Sequence, residues 1–99
     1  MARFDVYPNP EGAGYLLDVQ ANLLDHLNTR VVVPLLLADA SPVPAATLNP
    51  VFRIGDTLVV MVTQFMAAVP TRLLRQPVAN LESARGEIVA AMDLLFQGF

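Results

Sequence analysis

With 99 residues, a net charge of −3 and no lysine among its six basic residues, the chain has room for one domain, 1–99, and no broad cationic face for phosphates. More than half of its residues are apolar. A domain of this length buries only about two-thirds of the surface its unfolded chain exposes, so apolar area is left over and a homodimer is expected.

The opening "MARFDVYPNP" has no apolar run of the kind that marks a signal peptide, and none is expected. Within it, "RFDVY" alternates, with Phe4 and Val6 on one face and Arg3, Asp5 and Tyr7 on the other: a first strand. "PNPEGAG" is turn chemistry. "YLLDVQ" reads as a second strand, antiparallel to the first. "RVVVPLLLA" is a β-branched run of strand length, in which Pro34 calls for an edge or a bulge because it has no N–H for the ladder. The apolar run Val31 to Ala38 is far short of the ~20 residues that cross a bilayer. "ASPVPAATLNP" predicts a long surface loop. "VFRI-GD-TLVVMVT" predicts a hairpin with Gly55-Asp56 as its two-residue turn. "FMAAVPTRLL" predicts a short strand or a pair bent at Pro70.

The last segment differs in kind. From Glu82 to Phe96 there is no proline, and Ala84, Ile88, Ala91, Met92 and Leu95 fall at helical spacing, a stripe facing a core. Asn80 is a plausible cap. Gly86, Asp93 and Gln97 fall on the opposite side, with Phe96 at the edge of the stripe. The fold class is therefore mainly β with one C-terminal α-helix, a small antiparallel barrel or curled sheet. The chain closes on "DLLFQGF", whose apolar character either plugs its own core or serves another molecule.

Chemistry is sparse. There is no phosphate-binding loop, no dinucleotide fingerprint and no metal-ligand spacing. The lack of cysteine excludes disulfides and thiol chemistry and fits a cytoplasmic protein. No cofactor, metal or catalytic residue is expected. His26, the only histidine, lies between Asp25 and Arg30. Those three form the minimum for an acid/base pair with an anion-binding arginine, yet one histidine specifies little, and neighbouring side chains diverge on regular structure. Asp18, Asp39 and Asp56 read as turn and strand-edge carboxylates with no partner implied. Met61, Met66 and Met92 read as core filler.

Four stretches in order, "FDVYPN", "YLLDVQANLLDHLNTRVVVPL", "RIGDTLVVMVTQFMAAVP" and "IVAAMDLLFQGF", resemble the CcdB family of toxins over nearly the whole chain. The most specific pieces are D-V-Q followed by two aliphatics and an acid, the strand ending V-P-L, M-x-x-V-P, and the apolar end with its penultimate glycine. The resemblance implies an SH3-like barrel with a C-terminal helix and a homodimer. It also implies a non-enzymatic toxin of a type II toxin–antitoxin module, serving plasmid maintenance. Such a toxin binds the A subunit of DNA gyrase and poisons the cleaved-DNA complex, and a CcdA-like antitoxin neutralises it. No direct nucleic-acid or membrane binding is implied. Carried over by motif, the gyrase-binding positions are Leu23, Leu24, Asp93, Phe96, Gln97, Gly98 and Phe99. The family's best-known pattern has Asn where Asp93 stands and Trp where Gln97 stands, and Ile is common at the position of Phe99. Two other readings remain open. One is an endoribonuclease on the same fold, leaning on Asp25, His26 and Arg30. The other is a non-toxic homologue that only binds the antitoxin.

Overall fold

The alternation at the start of the chain becomes β1 (Asp5–Pro8), which pairs antiparallel with β2 (Tyr15–Asp18) in a computed structural model that describes residues 1–98. Phe4 stays outside the strand because its φ is 72°, in the left-handed region, which interrupts extended backbone. Its side chain is nevertheless wholly buried beside Val6. Tyr7 points to the other face and is buried there.

The long β-branched run forms β3 (Thr29–Leu37), the centre of the sheet rather than an edge. One side of β3 pairs with β2. The other side pairs first with β6 (Ala67–Pro70) over residues 29–32 and then with β5 (Thr57–Met61) over residues 35–37. Pro34 sits in the gap between those two partners, and its carbonyl, on that side, accepts the Val62 N–H at 3.0 Å. In a strand the N–H and C=O of one residue point the same way, so the missing N–H faces the gap and no ladder bond is lost.

The predicted hairpin is β4 (Val51–Ile54) and β5, turned through Gly55-Asp56 with Ile54 opposite Thr57. A short β7 (Ala79–Asn80), not anticipated from the sequence, pairs with β1. The strand order is β4-β5-β3-β2-β1-β7, with β6 also on β3. This gives a nearly closed antiparallel barrel with one helix after it, as the sequence implies.

That helix is α1 (Arg85–Gln97), entered through a 3₁₀ turn at Glu82–Ala84. Asn80 caps the turn rather than the helix: its Oδ1 accepts the Glu82 N–H at 2.8 Å, whereas the helix N-cap, Ala84, offers no side-chain bond. Ile88 and Ala91 are fully buried in the main core with Val6, Leu17, Val33 and Leu35, while Met92 is half-buried. Leu95, expected in that stripe, is 37 % exposed and stands past the end of the packed face. A second, smaller cluster of Tyr7, Leu16, Val32 and Leu74 occupies the opposite face of β1–β3. No helix among the described residues is long and apolar enough to cross a membrane.

Candidate partner-binding site

The D-V-Q motif acquires a physical reason at the end of β2. Asp18 faces the second cluster, and Arg30 reaches it diagonally across the β2–β3 pair. Arg30 Nε donates to Asp18 Oδ2 at 2.9 Å, Nη2 lies 2.7 Å from the same oxygen, and both side chains are wholly buried. The Gln20 N–H donates to Asp18 Oδ1 at 3.0 Å. Burial pushes the Asp18 carboxyl above its ordinary range, against the opposing pull of Arg30. The unpartnered reading of Asp18 is thus corrected, and so is the solvent-facing Arg30 that a nuclease site would need.

Gln20 holds the loop that follows. Its Nε2 donates to the carbonyls of Leu24 at 3.0 Å and Thr29 at 3.3 Å, and its Oε1 accepts the Val31 N–H at 3.1 Å. One side-chain amide therefore bridges both ends of residues 21–29, a loop exposed throughout. The 3₁₀ turn Asn22–Leu24 within it is tied to the N-terminal segment, with the Arg3 N–H donating to Asn22 Oδ1 at 2.8 Å. Leu23 is consequently thrust outward, 87 % exposed, with Leu24 and Leu27 also exposed.

The other half of the predicted site is the end of α1. Phe96 is 70 % exposed. Asp93 is half-buried and Gln97 exposed, with Gln97 Nε2 only 3.5 Å from Asp93 Oδ1. Gly98 explains the penultimate glycine structurally: at φ 80° it is the left-handed cap whose N–H donates to the Leu94 carbonyl at 3.0 Å, a conformation costly for any residue with a Cβ. Phe99 lies outside the described residues.

The two halves do not meet in one protomer. The anchor of the Leu23 turn, Arg3, neighbours Phe4, whose ring lies 5.6 Å from the Arg85 guanidinium carbon at the first residue of α1. Phe96 is eleven residues further along, about 16 Å at the rise of a helix. The result is an elongated surface: two exposed leucines near the start of the helix and a phenylalanine, an acid and an amide at its end.

Nothing in this surface assembles catalytic chemistry. Asp25 and His26 are exposed in the loop, and the guanidinium that would complete an anion site is committed to Asp18. Among the described residues no group of three or more His, Asp or Glu could hold a metal ion. What the arrangement offers is apolar contact area rimmed by polar groups, the composition of a protein–protein surface. A family model described as CcdB protein matches residues 3–98. The chain belongs to the CcdB family. Membership points to the toxin of a toxin–antitoxin pair and to a non-enzymatic mode of action, in keeping with a surface that lacks catalytic groups.

Sequence reasoning found the exposed leucines and the helix end but missed Gln20 as the residue that holds the loop, and it missed the Asp18–Arg30 pair. The signal available was the alternation that puts Leu16 with Asp18 and Arg30 with Val32. Only the register brings those faces together.

Proposed function

We propose that the protein, as one toxin domain over residues 1–99, binds the A subunit of DNA gyrase and traps its cleaved-DNA complex, and that a CcdA-like antitoxin neutralises it. The observation that carries this reading is Phe96: a large aromatic 70 % exposed at the end of the helix, in a chain of the CcdB family. An exposed aromatic set among polar groups is the usual anchor of a small interface. Leu23, Leu24, Asp93, Phe96, Gln97, Gly98 and Phe99 are the proposed gyrase contacts.

The separation of the two leucines from Phe96 along α1 suits a homodimer, in which a second copy supplies the complementary half. Light scattering at micromolar concentration tests this, and a species near the 10.7 kDa of one chain contradicts it. The antitoxin folds a disordered segment over the toxin and competes with gyrase for the end face.

The test of the activity is direct. Purified protein added to gyrase and DNA should produce protein-linked double-strand breaks, and prior addition of the cognate antitoxin should prevent them. Absence of trapped breaks alongside cleavage of RNA would favour the endoribonuclease reading. Antitoxin binding with neither activity would leave a non-toxic antitoxin-binding homologue.

A further inference from the structure

Residues 71–78 cross the face of β1–β3 opposite to α1 as a strap. The Thr71 N–H and Oγ1 both donate to the Asn28 carbonyl, at 2.9 and 3.2 Å. Leu74 plugs into Tyr7, Leu16 and Val32. The Val78 N–H donates to the Val6 carbonyl at 2.8 Å. Between these moorings Arg72, Arg75, Gln76 and Pro77 are exposed.

Two clefts flank the strap, each carrying one of its arginines. The first, about 360 Å³, is lined by Asn28, Thr29, Pro70, Thr71 and Arg72. The second, about 210 Å³, is lined by Pro8, Pro10, Leu73, Arg75 and Gln76. The ion pairs among the described residues are Arg30–Asp18 and Arg85–Glu82, so neither strap arginine has an acid against it. Glu11, in the same turn as Pro10, is not paired with Arg75. The backbone N–H groups of Arg75 and Gln76 donate to no acceptor among the described residues.

A short positive stretch with open backbone donors, on a chain of net charge −3, is complementary to an extended acidic peptide. Two cations are too few to hold a nucleic acid against the repulsion of the rest of the chain. We propose that this strap is a second docking surface for the antitoxin, which lays an acidic, extended segment along it. Carboxylates meet Arg72 and Arg75, and uncharged side chains enter the two clefts. The assignment rests on the toxin–antitoxin reading above. Because α1 packs on the other face of the sheet, this surface is separate from the gyrase-binding end.

The experiment measures binding of the full-length charge-reversed variant Arg72→Glu/Arg75→Glu to the cognate antitoxin and to the gyrase A subunit, over a range of salt. Both residues are exposed, and circular dichroism confirms folding before binding is read. Antitoxin affinity should fall by about tenfold or more, with a flatter salt dependence than that of the unmodified protein, while gyrase binding is unchanged. Undiminished antitoxin binding overturns the proposal, as does an equal loss toward gyrase. An oligonucleotide that binds the unmodified protein and not the variant reassigns the strap to nucleic acid. Failure of the unmodified protein to bind the antitoxin at all overturns the toxin–antitoxin reading itself, a distinct result.

Discussion

Arg30 places two guanidinium nitrogens on one oxygen of Asp18, at 2.9 and 2.7 Å, with neither side chain reached by solvent. The third nitrogen, Nη1, is buried with no hydrogen-bond partner among the described residues. Such a pair is a structural commitment more than a source of net stability, because desolvation offsets much of the attraction. Removing one partner is another matter. Asp18→Asn should destabilise the fold by about 3–5 kcal/mol by leaving a buried charge unpaired, whereas Asp18→Leu/Arg30→Met should recover most of that loss. Urea unfolding of the three proteins gives the order. A double variant less stable than Asp18→Asn contradicts the account.

Tyr7 lies on the same buried face. Burial, reinforced by the neighbouring charges of Asp5 and Asp18, pushes its phenol from 10.0 up to about 12. The native state therefore holds this proton more tightly than the unfolded chain. The stability it contributes is complete below about pH 10 and is lost as pH rises toward 12. Unfolding measured across that window should show a steeper fall for the unmodified protein than for Tyr7→Phe. Parallel slopes would mean that the phenol ionises freely.

Helix attachment separates two leucine-like positions that sequence spacing treats alike. Ile88 is wholly buried and Leu95 is 37 % exposed. Ile88→Ala should cost about 2–5 kcal/mol, and Leu95→Ala less than about 1 kcal/mol. Thermal melts of the two variants make the comparison, and equal losses would show that the helix end is packed after all.

His26→Ala should leave growth inhibition intact, since the ring is exposed and the Arg30 that could have joined it is bound to Asp18. A folded variant that has lost toxicity, together with RNA cleavage by the unmodified protein, would return the weight to a nuclease.

Much of the architecture was legible from local chemistry. The Gly55-Asp56 hairpin, the β1–β2 pair and the helical stripe each declare themselves within a dozen residues, because turn residues and side-chain period are local properties. What was not legible depends on pairing. Pro34 looked like an edge residue, since nothing local reveals that β3 changes partner there. Asp18 and Arg30 looked solvated because their meeting requires the β2–β3 register. Asn80 was correctly seen as a cap, but of the 3₁₀ turn that precedes the helix. At the candidate site, exposure of Leu23 and Phe96 followed from apolar residues that no packed face could absorb. The bridging amide of Gln20 did not, because glutamine in a loop carries no local mark of what it will bind.

The central claim is that the end of α1 is a partner surface rather than a structural plug. The most direct measurement is Phe96→Ala, followed in parallel by melting temperature and by calorimetric binding to the gyrase A subunit. With its ring 70 % exposed, the substitution should leave the melting temperature nearly unchanged. Binding should weaken by about 2 kcal/mol or more, roughly thirtyfold, as for a buried aromatic anchor. A variant that unfolds, or that binds gyrase as tightly as the unmodified protein, contradicts the account.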